Sequence, residues 1–346
     1  MRTPRQEGFR MPAEWEPHEA TWIAWPHNRE DWPGKFGPIA WVYAEIARKL
    51  ARVERVRILV ENEGGERNAR RYLRSAQADL AAIEFFHYPT DRVWTRDYGP
   101  LFVKNPSGEV AITSWRFNAW AKYGNWQRDN AIPGALAARL HLRNWELDLV
   151  LEGGSIDVNG QGALLTTGEC LLSPVQARNP GATRRQIERA LHDYLGAREV
   201  IWLGRGIAGD DTHGHVDDLA RFVNARTVAI ASEPDRSDPN YEPLRENLEI
   251  LRRSPFQVVK LPMPAPVVFK GQRLPASYAN FYIANRLVLV PTFNDPQDRV
   301  ALARLARLFP GREVTGIHAL DLVWGLGTLH CMTLQQPEAG ATRPPR

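Results

Sequence analysis

The sequence predicts an α/β fold in which strand-rich units repeat around an axis. Three observations carry this reading. Short apolar or β-branched runs alternate with helical patterns along the whole 346-residue chain. Five segments show the spacing of an amphipathic helix, each between predicted strands. No Gly-x-Gly-x-x-Gly opens any of them, which argues against a doubly wound dinucleotide-binding sheet.

Taken in order, "TWIAW" 21–25 predicts a strand, "AWVYAEIARKLAR" 40–52 a helix and "VRILV" 56–60 a strand. "LFV" 101–103 and "VAITSW" 110–115 follow as strands, then the helix "DNAIPGALAARL" 129–140, weakened by Pro133 and Gly134. The strand "GALLTT" 162–167 leads to the helix "TRRQIERALHDYL" 183–195, with Thr183 as N-cap and Gly196 just beyond its end. Strands at 199–203, 220–223 and 227–232 precede the helix "PLRENLEILRR" 243–253. Strands at 256–261, 280–284 and 287–291, the helix "DRVALARLARLF" 298–309, a turn at Gly311 and a strand at 313–317 complete the series. The proline-rich 259–277 reads as a rim or lid rather than a linker. One domain is therefore expected, with an ordered core over 8–337 and a flexible C-terminal tail.

Hydrophobic residues make up 43% of the chain and charged residues 24%, enough apolar surface for a large core. The net charge of +4 comes from 44 basic and 40 acidic side chains with no block of one sign, so no nucleic-acid surface is indicated. No run approaches the ~20 apolar residues of a bilayer span. The N-terminus lacks an apolar signal core, so a cytoplasmic protein without a membrane partner is expected. Two cysteines, Cys170 and Cys331, are expected as free thiols, and their number excludes a four-cysteine zinc site.

The densest chemistry lies in "GDDTHGHVDD" 209–218. An extended chain there would put Asp211, His213, His215 and Asp217 on one face. Such a set can be a zinc or iron site, a polar loop, or part of a catalyst acting on a cation. In "GLGTLHCMT" 325–333 two glycines precede Cys331, which can face a cleft as a nucleophile or lie buried as a structural residue. Cys170, in "GECLLSP", fits the structural role better. Asp97 sits at a turn in "WTRDYGP", where it can cap the turn or pair with Arg96. Glu152 meets two glycines in "LEGGSIDV".

Asp97, Glu152, His215, Asp217 and Cys331 all fall at ends of predicted strands. The motifs "GFRMPAEWEPHEATWIAWP", "WTRDYGP", "RFNAW", "LEGGSIDV", "TTGECLLS", "YLGAREVIWL", "DTHGHVDDLARF", "ASYANFY" and "GLGTLHCMT" span nearly the whole chain. In this order they resemble the agmatine deiminase family, the bacterial peptidylarginine-deiminase-like branch of the guanidino-group-modifying superfamily. The resemblance implies a five-bladed α/β propeller, or pentein, of pseudo-fivefold ββαβ units around a central active site. It also implies catalysis without a metal or cofactor, a homodimer or larger homo-oligomer, and conversion of agmatine to N-carbamoylputrescine and ammonia, a step of putrescine and polyamine metabolism. Departures from the family pattern stand at Leu326 and Thr328, where glycine and asparagine are usual, and at His213, Asp218 and Tyr98. They bear on the substrate's tail, leaving arginine, guanidinobutyrate or a peptidyl arginine as alternatives.

Such chemistry matches the residue types. A guanidinium is flat and presents N–H groups outward, so two carboxylates, here Asp97 and Asp217, can grip it. Cys331 attacks its carbon, His215 moves protons, and Glu152 orients His215. Trp94, Trp120, Asp211 and His213 are candidates for the tail.

Overall fold

Each of the five predicted helices lies inside a unit of one topology. Two antiparallel strands lead into a helix, which returns the chain to a third strand parallel to the second. The second unit along the chain comprises Leu101–Lys104, Val110–Arg116, the helix Gln127–Leu140 and Asn144–Val150. The third uses Asp157–Val158, Ala163–Thr167, the helix Arg184–Leu195 and Glu199–Leu203. In the fourth these are Ala220–Asn224, Thr227–Ser232, the helix Tyr241–Arg252 and Gln257–Pro262. The fifth has Tyr282–Ile283, Leu287–Thr292, the helix Gln297–Leu308 and Glu313–His318.

The first unit takes its opening strand from the other end of the chain. Leu334–Pro337 pairs antiparallel with His18–Ala24, and the helix Ile39–Leu50 leads on to the parallel strand Arg55–Val60. A further helix, Glu63–Ser75, and strand, Ile83–His87, widen this blade to four strands. The computed structural model describes residues 2–340. Among these the architecture is the five-bladed α/β propeller. Ordered pairing reaches past the expected core, because Gly340 donates to the Gly108 carbonyl at 2.8 Å and Trp145 to that of Arg2 at 3.0 Å. The rest of the expected tail, 341–346, lies outside the described residues.

Local chemistry explains most boundaries. Thr183 accepts from the Gln186 N–H while Gln186 reaches back to the Thr183 N–H, a full capping box, and Gly196 ends the helix at φ 74°. Pro133 is carried within Gln127–Leu140, whose Ile132, Leu136 and Ala137 are buried. Strand Ala163–Thr167 is buried at every position, as expected for a strand covered on both faces.

Several elements went unread, among them Asp157–Val158, which at two residues is too short to carry a pattern. Glu63–Ser75 buries only Ala69 and Leu73, too sparse an apolar stripe to show a period. Ile83–His87 is short, and Leu334–Pro337, "LQQP", is polar in sequence yet fully buried. Asn144–Val150 does alternate, with Trp145 and Leu147 inward and Glu146 and Asp148 outward. The expected strand 280–284 shrinks to Tyr282–Ile283, freeing Asn280.

Gln336 shows what holds the closing strand. Its Oε1 accepts from Trp22 Nε1 at 2.9 Å and from Arg57 NH1 at 2.6 Å, all three residues being buried. Gln336→Leu leaves two buried donors unpaired and is expected to cost about 3 kcal/mol. A lowered urea midpoint checks this, and an unchanged midpoint would refute it.

Candidate active site

Six polar groups, one or two from each blade, arrive at the axis in the same way, just before the first strand of the blade. Asp97 lies in the one-turn helix Thr95–Tyr98 before Leu101, and Glu152 precedes Asp157. His215 and Asp217 precede Ala220, Asn280 precedes Tyr282, and Cys331 precedes Leu334. The propeller therefore gathers these residues from every blade.

Two glycines make the gathering tight. A side chain on Gly153 would collide with the Arg96 carbonyl at 2.2 Å. A Cβ on Gly154 would lie 2.6 Å from His215 Nδ1, 2.7 Å from Asp97 Oδ1 and 3.0 Å from Asp217 Oδ2. Asp217 Oδ2 is in turn 3.7 Å from Cys331 Sγ. Thiol, imidazole and two carboxylates thus surround one point.

Each carboxylate is held differently. Asp97 accepts from the Gly154 N–H at 3.0 Å and from Trp120 Nε1 at 2.9 Å. Burial pushes its acid up to about 6, with His215 opposing and Asp217 and Glu152 adding to the rise. Asp217 Oδ2 accepts from His330 Nδ1 at 2.7 Å, while its Oδ1 is buried and unpartnered. Burial disfavours the Asp217 carboxylate, but the His330 contact outweighs it and holds the group below the ordinary range. Glu152 bonds to Arg178 Nε at 3.0 Å, both fully buried. Burial works against this anion too, but Arg178 and His215 bring it down to about 2.

His215 stands between Asp97, at 3.7 Å from Nδ1, and Glu152, at 3.5 Å from Nε2, with no ordinary hydrogen bond to either ring nitrogen. Burial lowers its basicity, yet Asp97 and Glu152 raise it well above the usual histidine value. Burial, then Asp217, Asp218 and Asp97, push the Cys331 thiol well up. The resting sulfur is a neutral thiol.

The expected extended segment 211–217 is instead a compact turn. Asp210 accepts from the N–H groups of Thr212 at 2.7 Å, Gly214 at 2.7 Å and His215 at 3.0 Å, which winds the chain around its carboxylate. His213 takes φ 63° and is turned outward to Ser173 Oγ at 3.2 Å, in a separate cleft with Glu169 and Arg205. It neither pairs with His215 as a metal ligand nor touches the site. Two other buried sets, Glu152–Cys170–His215 and Asp217–Asp218–Cys331, hold ligating atoms within 4.8 Å of one another. In each set a donor already faces in, Arg178 on Glu152 and Asn280 on Cys331. Both cysteines are free and buried, and Cys170 Sγ lies 4.0 Å from Glu152 Oε2.

A cavity of about 310 Å³ opens onto Asp97 and Cys331. Trp94, Trp120, Trp324 and Leu326 give it apolar walls, and Glu30, Asp31 and Asp211 give it acidic ones. Asp211 is engaged by the Tyr123 hydroxyl at 2.7 Å and by Lys122. Tyr98 is absent from the lining. Its ring packs on Phe117 and its hydroxyl donates to the Arg92 carbonyl at 3.3 Å, so this departure from the family pattern belongs to the core. Asp218 is buried and accepts from Asn280 Nδ2 at 3.0 Å. Burial and then Asp217 push it well above the carboxylate range.

Sequence reasoning passed over Arg178, His330, Asn280 and Glu14. His330 and Asn280 lie inside the motifs quoted for the resemblance, next to Cys331 and in "ASYANFY". Glu14 lies in the first motif and binds His330 Nε2 at 2.8 Å. Arg178 had no local signal, since its role is set by the fold.

A propeller with a buried cysteine, histidine and carboxylates at its axis defines a class that comparison with known proteins makes specific. Residues 10–337 match the model of the Porphyromonas-type peptidyl-arginine deiminases, and the chain belongs to that family. It is 38% identical to the agmatine deiminase of Pseudomonas aeruginosa (strain LESB58), with 97% of each chain covered. The structure of the Enterococcus faecalis agmatine deiminase is similar at a TM-score of 0.91 and 33% identity, covering 98% of both chains. A cysteine-to-serine variant of the C. jejuni agmatine deiminase with substrate bound gives 0.88 and 30%, covering 96% of this chain and 97% of that one.

The space at Gly154 makes a direct test. Gly154→Ala places a methyl among His215, Asp97 and Asp217, displacing them by the order of an ångström. A loss of about 100-fold in kcat/KM is expected. Ammonia release checks it, and a variant as active as the parent would show that the three groups do not converge there.

Proposed function

We propose that the protein is a guanidine deiminase that converts agmatine and water to N-carbamoylputrescine and ammonia. The observation that carries this is the convergence of Asp97, Asp217, His215 and Cys331 on the space beside Gly154. The agmatine deiminases at 30–38% identity over nearly the full chain support the choice of substrate.

Asp97 and the free Oδ1 of Asp217 accept from the N–H groups of the guanidinium and fix its plane. The bound cation also reverses the electrostatics of the thiol. At about 4 Å it contributes about 4 kcal/mol at an effective dielectric near 20. That is about three pKa units in favour of the thiolate, whose proton leaves to solvent through the cavity. The sulfur then forms a bond to the guanidinium carbon. A C–N bond breaks, and the departing nitrogen takes a proton from His215 to leave as ammonia. The remaining thiouronium is attacked by a water that gives a proton to His215. The C–S bond breaks and the remaining hydroxyl proton leaves to solvent, returning the thiolate and the ureido product. Glu152, made a firm anion by Arg178, supports His215 through both transfers.

In this reading Trp94 and Trp324 flank the butyl chain, and the acidic rim receives the tail ammonium. Glu30 suits it better than Asp211 and Asp31, which Lys122 and Arg92 already neutralise. Among the described residues no helix is long and apolar enough to cross a membrane.

Turnover on a panel of agmatine, arginine, guanidinobutyrate and a peptidyl arginine tests the substrate, and agmatine is expected to be preferred. Cys331→Ala is expected to abolish ammonia release. Activity on another member alone would retire agmatine while keeping the chemistry. The pH dependence follows from Asp97, which must be ionised to grip a cation. Its acid lies near 6, so kcat/KM is expected to rise with pH through about 6 and to fall below it. A profile flat from pH 5 to about 7 would remove Asp97 from the clamp. Iodoacetamide should alkylate Cys331 faster near neutral pH when an inert guanidinium ligand fills the site.

A further inference from the structure

We propose that Asn280 is a catalytic residue that presents the sulfur of Cys331 and holds it as the thiolate through an N–H···S hydrogen bond. The inference rests on the reading of Cys331 as nucleophile and adds a group to it.

Its side-chain amide has only one orientation that fits its surroundings. Oδ1 accepts from the His330 backbone N–H at 2.9 Å and from Thr328 Oγ1 at 2.7 Å, with the Cys331 N–H at 3.5 Å. A backbone N–H can only donate, so the oxygen must face it. The NH₂ end is thereby aimed the other way, at Cys331 Sγ at 3.1 Å and Asp218 Oδ1 at 3.0 Å. Asn280 is fully buried, and no solvent competes for these bonds.

One other donor reaches the sulfur, the backbone N–H of Thr328, and Asn280 supplies the side-chain donor. The groups that face it are the carboxylates of Asp97, Asp217 and Asp218, with the phenol of Tyr43 nearby. On its own turn His330 is spent on Asp217 and Glu14. In the resting thiol the S–H points to Asp217 Oδ2, 3.7 Å away, while the lone pair accepts from Asn280. When the proton leaves, the bond from Asn280 becomes charge-assisted and strengthens. Position argues the same way. Asn280 stands before the first strand of its blade, the place held by Asp97, Glu152, His215 with Asp217, and Cys331 in the others. Thr328, where the family pattern has asparagine, supplies the hydroxyl that locks the amide.

The test is the pH dependence of Cys331 alkylation by iodoacetamide in the full-length protein, followed by the mass of the Cys331 peptide, alongside steady-state kinetics on agmatine. Losing the donor lowers the thiol's acid constant, so its pKa rises. In Asn280→Ala the alkylation midpoint is expected to move up by about one pH unit, a tenfold loss of thiolate at fixed pH. With it, kcat should fall about tenfold or more while KM stays within about threefold, since the guanidinium is gripped elsewhere. An unmoved midpoint would overturn the proposal even if kcat fell, because a merely structural prop changes turnover without changing the thiol. If Asn280→Ala does not fold, Thr328→Val, which removes one of the two close bonds that hold the amide, is read by the same assay with a smaller shift in the same direction. Cys331→Ala separates the two readings. Turnover in that variant sinks the nucleophile itself, whereas its loss together with an unmoved midpoint in the asparagine variant sinks only the role of Asn280.

Discussion

The molecule is organised around one buried anion. Glu14 lies at the axis and accepts from the Ile283 N–H at 2.7 Å and from His330 Nε2 at 2.8 Å, with Arg221 NH2 at 3.0 Å and Arg96 NH2 at 3.2 Å. These partners come from the turn after the first blade, the fourth and fifth blades, and the turn carrying Cys331. Taking so many charges out of water is costly, and only near-complete mutual pairing offsets it. Burial penalises Glu14, but Arg221 and His330 hold it well below the ordinary carboxylate range. The cluster stabilises the propeller only when all its members have arrived, so it specifies one arrangement of the blades.

The active site inherits its geometry from that cluster. His330 spans Glu14 and Asp217 and so decides which oxygen of Asp217 is left free. Arg221 also binds Asp157 at 2.9 Å, tying the third blade to the fourth. Around the thiol stand the carboxylates of Asp97 and Asp217, with His215 opposing them. The pocket is thus suited to a cation, and under the proposed function affinity for the substrate and reactivity of the sulfur would spring from the same carboxylates.

How far the sequence could be read depended on whether the signal was local. The five helices inside the blades and most of their strands were legible, since each has its own apolar period or run. The third strand of the second blade was readable by alternation, whereas "LQQP" was not, because its burial follows from where it lands. Among the site residues, Asp97, Glu152, His215, Asp217 and Cys331 stood out as polar groups at strand ends. The placement of His213 was misjudged because Asp210, three residues earlier, captures the backbone N–H groups that an extended strand would have needed. Arg178 and Glu14 were invisible because their partners lie far along the chain, and Asn280 was hidden within a presumed strand.

The opening strand of the first blade has a consequence for the order of assembly. His18 pairs with Pro337 and Trp22 with Leu334, contacts separated by nearly the whole chain. Bridging such a span carries a heavy loop-closure entropy, so this pairing belongs among the late steps of folding. Cys331 sits in the turn that leads into that strand. The event that seals the ring is therefore the one that carries the sulfur to its neighbours, and an incompletely assembled chain holds an unarmed thiol.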